Sequence, residues 1–565
     1  MYPTVKEEAE RILSQEWGIT DLPVRFEVPP EEAYGDTTTT VAFPLGKRLR
    51  KRPEEIAGIL AERLQRSSLV ERAEVAGEGF VNVRLKAQTL LQEFQRTREA
   101  CTPKVTREER PVIVEYSDPN IAKPLGVHHL LATIIGQAIA NMYRFAGYPV
   151  LSWNYLGDWG TQFGNLAVAC EKWGSGKPAS EYSLDELLAL YVRFYKEAQR
   201  DPSLEDAGRE AFRKLEQGGP ELWKFWEGAV AVTKTSLKVL YERLHIRFDV
   251  DEGESFYNDK MGAVLTEGKQ KGVFTVGEKG ALIVEFPRET GLPVYMVLKS
   301  DGSTLYATRD IAQIRYRIDT YHPQSILYVV DTAQTLYFRQ LFETVRRLQW
   351  ELPHLEHVVF GRMRFKDRAM STRMGNILTL EEVLDEAVRR ADQVIEEHRD
   401  TVQTDDRAGL AEMMGLGAIA YAILSQNRRA DIVFDWDRML TFEGSSAPYL
   451  QYTHARARSV LRKAGEEGER TVPRIETLTG KERVLLRTLL QFSEVLAEAL
   501  QTHMPHKLAQ YLFTLCQAYN AFYNTEPILK STDPSRTLRL ALTARTAATL
   551  KTGAELLTIR VPDRM

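Results

Sequence analysis

Two patterns of apolar residues follow one another after residue 110, an unbroken run and then a helical spacing. Val112–Val114 is an unbroken apolar run, which is typical of a strand buried on both faces. After a loop between two prolines, apolar residues recur at helical spacing: Leu130, Ile134, Ile135, Ala138, Met142 and Phe145. Gly147 then ends the helix, and Val150–Tyr155 follows as a second strand. The pattern predicts one strand–helix–strand unit of a parallel sheet.

The first hundred residues carry shorter runs of both kinds. Their spacing predicts helices over Val5–Gln15 and Pro53–Gln65, and strands over Val24–Val28 and Phe80–Leu85. We therefore expect residues 1–105 to form a separate small α/β domain.

The remainder of the chain is mostly helical in pattern. Charged helical sequence from 171 to about 250 predicts a helical subdomain inserted between the two halves of the sheet. Strand-like runs return at Val273–Phe286 and Ser325–Val330. From Leu380 onward only helical periodicity is found, so no strand is predicted there.

Composition sets the broad class of the protein. A chain of 565 residues exceeds a single hydrophobic core, so about two to four domains are expected. With 43% hydrophobic residues and no apolar run of membrane length, the sequence predicts a soluble protein without membrane contact. The three cysteines lie far apart, which indicates neither a disulfide framework nor a zinc site and favours the cytoplasm: Cys101, Cys170 and Cys516.

Charge is distributed unevenly along the chain. Residues 441–565 hold 17 basic and 12 acidic side chains, whereas residues 1–440 hold 57 basic and 66 acidic ones. A basic end on an acidic body is compatible with a polyanion bound at that end, although a solvated helical face gives similar counts.

Two histidines, His128 and His129, stand at the start of the central predicted helix. Free backbone N–H groups and the helix dipole favour an anion at such a position. The sequence therefore predicts a place to hold a nucleotide phosphate.

Two long motifs surround these histidines. Pro119-Asn-Ile-Ala-Lys-Pro124 precedes them, and Asn154-Tyr-Leu-Gly-Asp-Trp-Gly-Thr-Gln-Phe-Gly164 follows the helix. Both resemble signatures of the arginyl-tRNA synthetases, a family of class I aminoacyl-tRNA synthetases, in which the loop reads Ser-Pro-Asn-Ile-Ala-Lys-Pro. The family then has a His-x-Gly-His box, whereas this chain has Gly126-Val-His-His129. The match spans nearly the whole chain, from about Glu7 to Met565.

The resemblance implies a domain order. The expected fold class is α/β, with a Rossmann-type parallel-sheet catalytic domain, a small α/β N-terminal domain and an all-helical C-terminal anticodon-binding domain. Residues 1–105 would contact the tRNA elbow, 106–380 would form the catalytic domain, 381–435 a helical stem-contact region and 436–565 the anticodon-binding domain.

An arginine pocket needs planar acceptors, because a guanidinium offers five donors and accepts no hydrogen bond. The resemblance assigns this role to residues that match inside extended motifs: Glu115, Asn120, Glu254, Tyr306, Asp310 and Gln334. Tyr306 and Asp310 lie four residues apart, so on a helix they would share one face. Taken singly, each acid could equally be a helix cap or a surface ion-pair partner.

Amino-acid activation attacks the α-phosphate of ATP, which requires cationic and N–H donors aimed at developing charge. A second signature, Ala369-Met-Ser-Thr-Arg-Met-Gly-Asn376, resembles the family's Lys-Met-Ser loop but lacks its first lysine. The resemblance assigns catalytic roles to Lys123, His128, His129 and Arg373. It assigns ATP contacts to Gly126, His129, Met370 and Ser371. Mg²⁺ is expected to arrive with ATP, and no metal site of the protein's own is predicted.

Anticodon bases are read by stacking faces and cations. By resemblance, the residues that contact tRNA are Tyr34, Asn427, Tyr449, Gln451, Tyr452 and Arg456. Each aromatic side chain among them could instead belong to a core.

The resemblance thus implies an arginine–tRNA ligase with L-arginine, ATP and tRNA(Arg) as substrates, which we expect to act as a monomer. Two alternatives remain open. Gly126, Ala369 and Met374 favour a catalytically weakened paralogue that binds tRNA or arginine. An enzyme that transfers activated arginine to a different acceptor is the other.

Overall fold

A computed structural model describes residues 2–29, 31–97, 109–121, 125–365, 379–400, 402–465 and 472–565. Within these ranges the side chains at 32, 127, 128 and 365 are left undescribed.

A three-stranded antiparallel sheet forms the N-terminal domain, in the order Thr37–Thr39, Phe80–Leu85, Val70–Ala76. Its helices are Pro3–Trp17, Ala42–Leu49, Pro53–Gln65 and Ala87–Arg96. The predicted strand Val24–Val28 is wrong, because only Glu27 bridges Thr38 there. Prolines at 23 and 29 flank the segment and cannot donate to a ladder.

A four-stranded parallel sheet lies at the centre of the catalytic domain. Its strand order is His354–His357, Ser325–Tyr328, Val112–Glu115, Val150–Trp153. Both faces are buried: Val112 and Val114 belong to one hydrophobic core, whereas Ile113 between them belongs to another. The strand order reverses between Val112–Glu115 and Ser325–Tyr328, which opens a crevice at their carboxyl ends.

Helices cover both faces of this sheet, so the predicted Rossmann-type fold class is confirmed. Val127–Phe145 packs on one face, and Tyr306–Tyr321 and Thr335–Arg347 join the core on the other. Four further helices follow the second strand: Thr161–Trp173, Leu184–Ala198, Ser203–Glu216 and Pro220–Arg243. Met261–Gln270 precedes the return to the sheet.

The predicted strand Val273–Phe286 does not join the parallel sheet. It divides into Thr275–Val276 and Leu282–Val284, which form an antiparallel sheet with Tyr295–Leu298. Gly280, at φ 86°, lies in the left-handed turn between the first two of these strands. The prediction from apolar runs did not take this glycine into account. Short 3₁₀ turns complete the domain and its neighbours: Glu32–Tyr34, Ala179–Glu181, Glu254–Tyr257, Glu278–Gly280, Arg288–Thr290 and Thr332–Gln334.

Helices dominate the C-terminal third, as predicted. They are Leu380–Glu397, Arg407–Leu424, Trp436–Met439, Ala447–Ala464, Gly480–Leu490, Phe492–Thr502, Pro505–Thr525 and Ser535–Leu556. One short strand, Ile432–Phe434, contradicts the prediction of none, and it pairs in parallel with Met363–Phe365.

Arg407–Leu424 has the length and apolar composition of a membrane-spanning helix, which the sequence search for such windows missed. In the structure 61% of it is buried, and it packs on Leu380–Glu397 and Ala447–Ala464.

A buried ion pair joins the two ends of the chain. Asp36, only 1% exposed, accepts a hydrogen bond from Arg483 at 2.6 Å and another from the backbone N–H of Leu85 at 2.7 Å. Arg487 lies 3.7 Å from the other carboxylate oxygen. The N-terminal domain is therefore docked on the helix Gly480–Leu490.

Candidate active site

One cavity of about 740 Å³ opens at the carboxyl ends of the central strands, at the crevice described above. All six side chains predicted to bind arginine line it, and His129 lines it as well. These residues lie between positions 115 and 334 in the sequence, and the fold brings them together around one cavity.

Glu115, the last residue of its strand, is not a free acceptor. Both the Arg317 guanidinium and Gln313 Nε2, the latter at 3.0 Å, donate to its Oε2. Arg317 is fully buried and its guanidinium carbon stacks 4.1 Å from the Trp153 ring. Burial raises the pKa of Glu115, and the charge and hydrogen bond of Arg317 oppose that rise. Sequence reasoning missed Arg317 because nothing in its motif points back to residue 115.

Asp310 lies between two tyrosines. The Tyr337 hydroxyl donates to its Oδ2, and the Tyr155 hydroxyl donates to Oδ1 at 3.3 Å. Burial raises the pKa of Asp310 to about 7, although the hydrogen bond from Tyr337 opposes that rise. Tyr306 starts the same helix one turn earlier and is 62% exposed, so both residues do share a face toward the cavity.

Glu254 occupies a 3₁₀ turn in the wall of the cavity. Its Oε2 is buried and accepts no hydrogen bond from the described residues, and Arg309 approaches only to 3.9 Å. Burial raises the pKa of Glu254 to about 8. The carboxylate is therefore short of donors.

Two polar amides complete the wall. Asn120 faces Gly157 across a backbone bridge, in which Gly157 N–H donates to the Pro119 carbonyl at 2.9 Å. A Cβ at Gly157 would lie 2.7 Å from Asn120 Oδ1, so a larger residue there would displace the Asn120 side chain. Gln334 ends the turn Thr332–Gln334 and is exposed at the cavity mouth.

Among the described residues, acids outnumber bases around this cavity. Its carboxyl groups face two arginines, Arg309 and Arg317. Glu115 and Glu254 are buried, Asp118 and Asp310 are partly buried, and each has a raised pKa for which burial is the largest cause. Such a surplus favours a cationic ligand, because its charge offsets the cost of keeping the carboxylates ionised.

His129 lies in the first turn of the helix Val127–Phe145. The backbone N–H of Gly126 donates to its Nδ1 at 3.2 Å, so the neutral ring carries its proton on Nε2. Thr133 donates to the His129 carbonyl at 2.6 Å and fixes the turn. His129 thus reaches the cavity wall with Nε2 as the donor nitrogen of its ring.

The residues that follow the second signature pair with the start of this helix. Gly126 bridges Thr379, and Leu380 N–H donates to the Leu125 carbonyl at 2.8 Å. Several predicted contacts lie outside the described residues or side chains: Lys123, His128, Met370, Ser371 and Arg373.

The predicted tRNA residues fall into two groups. Tyr449, Tyr452 and Arg456 line adjoining cavities of about 1110 and 900 Å³ on the helix Ala447–Ala464. Arg456 stacks between Tyr452 and Tyr523, with its guanidinium carbon 4.6 and 4.9 Å from the ring centres. Sequence reasoning missed Tyr523, whose partner lies more than sixty residues earlier.

The side chain of Gln451 is not placed to contact tRNA as predicted. It is fully buried, and its Nε2 donates to the carbonyls of Met413 at 3.1 Å and Arg560 at 2.8 Å, so it holds the helices together instead of facing RNA. Tyr34 and Asn427 are exposed, as an RNA contact requires.

Comparison with known proteins agrees with this geometry. Residues 90–436 match the family of class I tRNA synthetases (R), catalytic domain, residues 450–565 the DALR anticodon binding domain and residues 4–85 the arginyl tRNA synthetase N terminal domain. The arginine–tRNA ligase of Fusobacterium nucleatum is 38% identical over 96% of this chain and 95% of its own length. That of Alkaliphilus metalliredigens is 37% identical over 97% of both.

Solved structures give the same answer. The arginyl-tRNA synthetase of Thermus thermophilus superposes with a TM-score of 0.81 at 29% identity, covering all of both chains. The arginyl-tRNA synthetase of Plasmodium falciparum, at 23% identity, shares the fold with a TM-score of 0.83 over 100% of this chain and 99% of its own. From its motifs, its domain order and its cavity alike, the chain belongs to the arginyl-tRNA synthetase family.

Proposed function

We propose that this protein is an arginine–tRNA ligase, which activates L-arginine with ATP and transfers the arginyl group to tRNA(Arg). The observation that carries the proposal is the acid-rich cavity at the sheet crevice, lined by Glu115, Glu254 and Asp310 together with His129. Identity of 38% over nearly the full chain to an arginine–tRNA ligase supports it.

In this proposal the guanidinium lies between Asp310 and Glu254, with Tyr306 over it. A planar cation with five donors suits these acceptors, since Glu254 Oε2 has an unused lone pair and Asp310 is oriented by two tyrosines. Glu115, already paired with Arg317, supplies negative potential behind the substrate.

Activation follows from the placement of the other end of the substrate. An α-carboxylate oxygen of arginine attacks the α-phosphorus of ATP, and the bond from that phosphorus to the bridging oxygen breaks, releasing pyrophosphate. The Nε2–H of His129 donates to the phosphate oxygens as their charge develops. Lys123 and Arg373 are proposed to add cations, Gly126, Met370 and Ser371 to contact ATP, and Mg²⁺ to accompany the nucleotide. Among the described residues no cluster of three metal-ligating side chains is found.

We propose the domain roles given by the sequence: residues 1–105 contact the tRNA elbow through Tyr34, 381–435 the stem through Asn427, and 436–565 the anticodon. The stacked Arg456 and the rings of Tyr449 and Tyr452 suit unpaired bases. A monomer in the cytoplasm remains a prediction, which light scattering of the purified protein and cell fractionation would check.

Arginine-dependent ATP–pyrophosphate exchange, with and without tRNA(Arg), tests the proposal when run beside charging of that tRNA. Exchange in the presence of tRNA together with charging supports the ligase. Absence of both with tRNA present contradicts it and favours a binding paralogue, the second candidate, which Gly126 in the first box position favours. Exchange without charging indicates a different acceptor.

A further inference from the structure

A second cavity, of about 890 Å³, adjoins the arginine cavity, and none of the described residues lines both. It opens between the last turns of the helix Pro220–Arg243 and the segment 245–251 that follows this helix. The two cavities adjoin at Tyr241, whose hydroxyl is 2.7 Å from the hydroxyl of Ser117. Tyr241 lines the second cavity, and Ser117 lines the arginine cavity. The second cavity is therefore a separate space beside the reaction centre.

Basic side chains outnumber acidic ones in the lining of the second cavity, in contrast to the arginine cavity. Each of the two acids already lies near a lysine, at 3.8 Å for Asp251 and Lys234 and at 3.9 Å for Glu242 and Lys238. Within the part of the chain that the structure describes, no acid pairs with Arg247. A guanidinium without a carboxylate is thus left in the lining. The basic residues are Lys234, Lys238, His245 and Arg247.

A second arginine adds to this positive charge. Arg560 Nη1 lies 3.2 Å from His245 Nε2, and because a guanidinium can only donate, Nε2 accepts and carries no proton. Burial, and then the charges of Arg560 and Arg247, lower the pKa of His245, although Glu412 opposes this. The imidazole is therefore kept neutral beside two cations. An anion bound here would offset their mutual repulsion.

An aromatic ring and an unused acceptor lie deeper in the cavity. The half-buried ring of Phe248 packs edge-on against Tyr241, with ring centres 5.0 Å apart, and still lines the cavity. Asn154, only 1% exposed, donates from Nδ2 to Asp251 at 2.9 Å. Its Oδ1 accepts no hydrogen bond from the described residues, which is costly for a buried acceptor. A flat ligand with an amino group would supply both missing contacts.

We propose that the second cavity binds a nucleotide other than the ATP that reacts. Its phosphates would contact Arg247 and Lys238, since a guanidinium suits phosphate oxygens in pairs, and Arg560 would add positive potential. Its base would lie on Phe248 with an amino group directed to Asn154 Oδ1. The inference goes beyond the proposed ligase, whose reaction consumes one ATP in the arginine cavity and needs no second nucleotide.

Equilibrium dialysis of ATP against the full-length protein tests the proposal. The reacting site is first filled with one equivalent of 5′-O-(N-L-arginyl)sulfamoyladenosine, an analogue of arginyl-adenylate that carries no phosphate. The wild type is then expected to bind one ATP per chain. Arg247→Ala and Lys238→Ala are each expected to weaken that ATP about 10-fold or more. Arg200→Ala, which removes an exposed arginine paired with Glu197, is the control and should stay within about twofold.

Absence of any ATP bound beside the analogue, or equal ATP affinities in all three variants, would overturn the proposal. Inorganic triphosphate that binds as tightly as ATP would overturn it too, because Phe248 would then hold no base. A higher KM for tRNA(Arg) in Arg247→Ala, with ATP binding unchanged, would assign the surface to an RNA backbone instead.

Cations near a helix C-terminus also complement the helix dipole. A lower melting temperature of Arg247→Ala with unchanged ATP binding would leave only that structural role and contradict the proposal. Failure of the analogue to bind the wild type contradicts the proposed function instead. In that case the loss of bound ATP caused by Arg247→Ala still decides whether the second cavity holds a nucleotide.

Discussion

The hydroxyl of Tyr337 donates a hydrogen bond to Asp310, at the wall of the arginine cavity. The bond favours the ionised form of Asp310 against the burial that disfavours it.

Removing that donor should weaken arginine binding. In Tyr337→Phe the pKa of Asp310 rises further, so the dissociation constant for L-arginine is expected to increase about 5- to 20-fold at pH 7, and less at pH 9. Calorimetric titrations at both pH values check this. Tyr191→Phe, the same change in a helix of the insertion, serves as the control. Equal losses at the two pH values would contradict the explanation.

Arginine binding should release protons near neutral pH. Asp310, with a pKa of about 7, and Glu254, with a pKa of about 8, are partly protonated in the free protein, and the bound cation requires their ionised forms. Affinity is therefore expected to rise as the pH increases through 7 and 8 and to level off above that. Binding enthalpies in two buffers of different ionisation enthalpy count the protons; identical enthalpies would refute the linkage.

The pair Glu115–Arg317 should be costly to break. Arg317→Met leaves a buried carboxylate without its counter-ion, which is expected to lower the free energy of unfolding by about 3–5 kcal/mol. Arg315→Met is the matched control on the same helix, since Arg315 forms an exposed pair with Asp319 and should cost less than about 1 kcal/mol. Urea denaturation of both variants gives the comparison. Similar losses in the free energy of unfolding for the two variants would show that burial does not determine how much the Glu115–Arg317 pair contributes to stability.

His129 should affect the rate without affecting arginine affinity. His129→Ala removes the Nε2 donor and is expected to lower the rate of arginine-dependent exchange about 10²–10³-fold, whereas the dissociation constant for L-arginine stays within about twofold. A loss confined to arginine affinity would place His129 at the amino acid instead of the phosphates. Gly126→His with His128→Gly, which restores the family box, should raise the rate.

The stacked Arg456 should act on tRNA alone. Arg456→Ala is expected to raise the KM for tRNA(Arg) about 10-fold, by loss of a cation and of the stacking it supports, with the KM for arginine unchanged. Arg389→Ala, a surface arginine paired with Glu386, is the control. Equal effects of both variants on the KM for tRNA would remove Arg456 from the interface.

Local spacing was sufficient for some of these features and insufficient for others. Tyr306 and Asp310 were predicted to share a helix face because four residues make about one turn, and they do. Arg317 could not be assigned to Glu115, since their contact depends on the parallel sheet bringing residues 202 apart together.

For Gln451, an RNA contact was predicted for a side chain that is buried. Its helix was predicted, but periodicity among tyrosines and arginines does not reveal which face meets the neighbouring helices, and Gln451 lies on the buried one. The strand Ile432–Phe434 was not predicted because three residues are too few to show alternation of apolar and polar positions. Its partner strand also lies about seventy positions earlier in the chain.

The clamp of Asp36 by Arg483 has a mechanical consequence. Because this ion pair is buried, movement of the N-terminal domain away from the helix Gly480–Leu490 would expose an uncompensated charge. The two proposed RNA-binding surfaces, around Tyr34 and around Arg456, are therefore expected to be held at a fixed separation. On the proposed domain roles, we expect an RNA whose elbow and anticodon loop are spaced differently to be excluded by its length before any base is contacted.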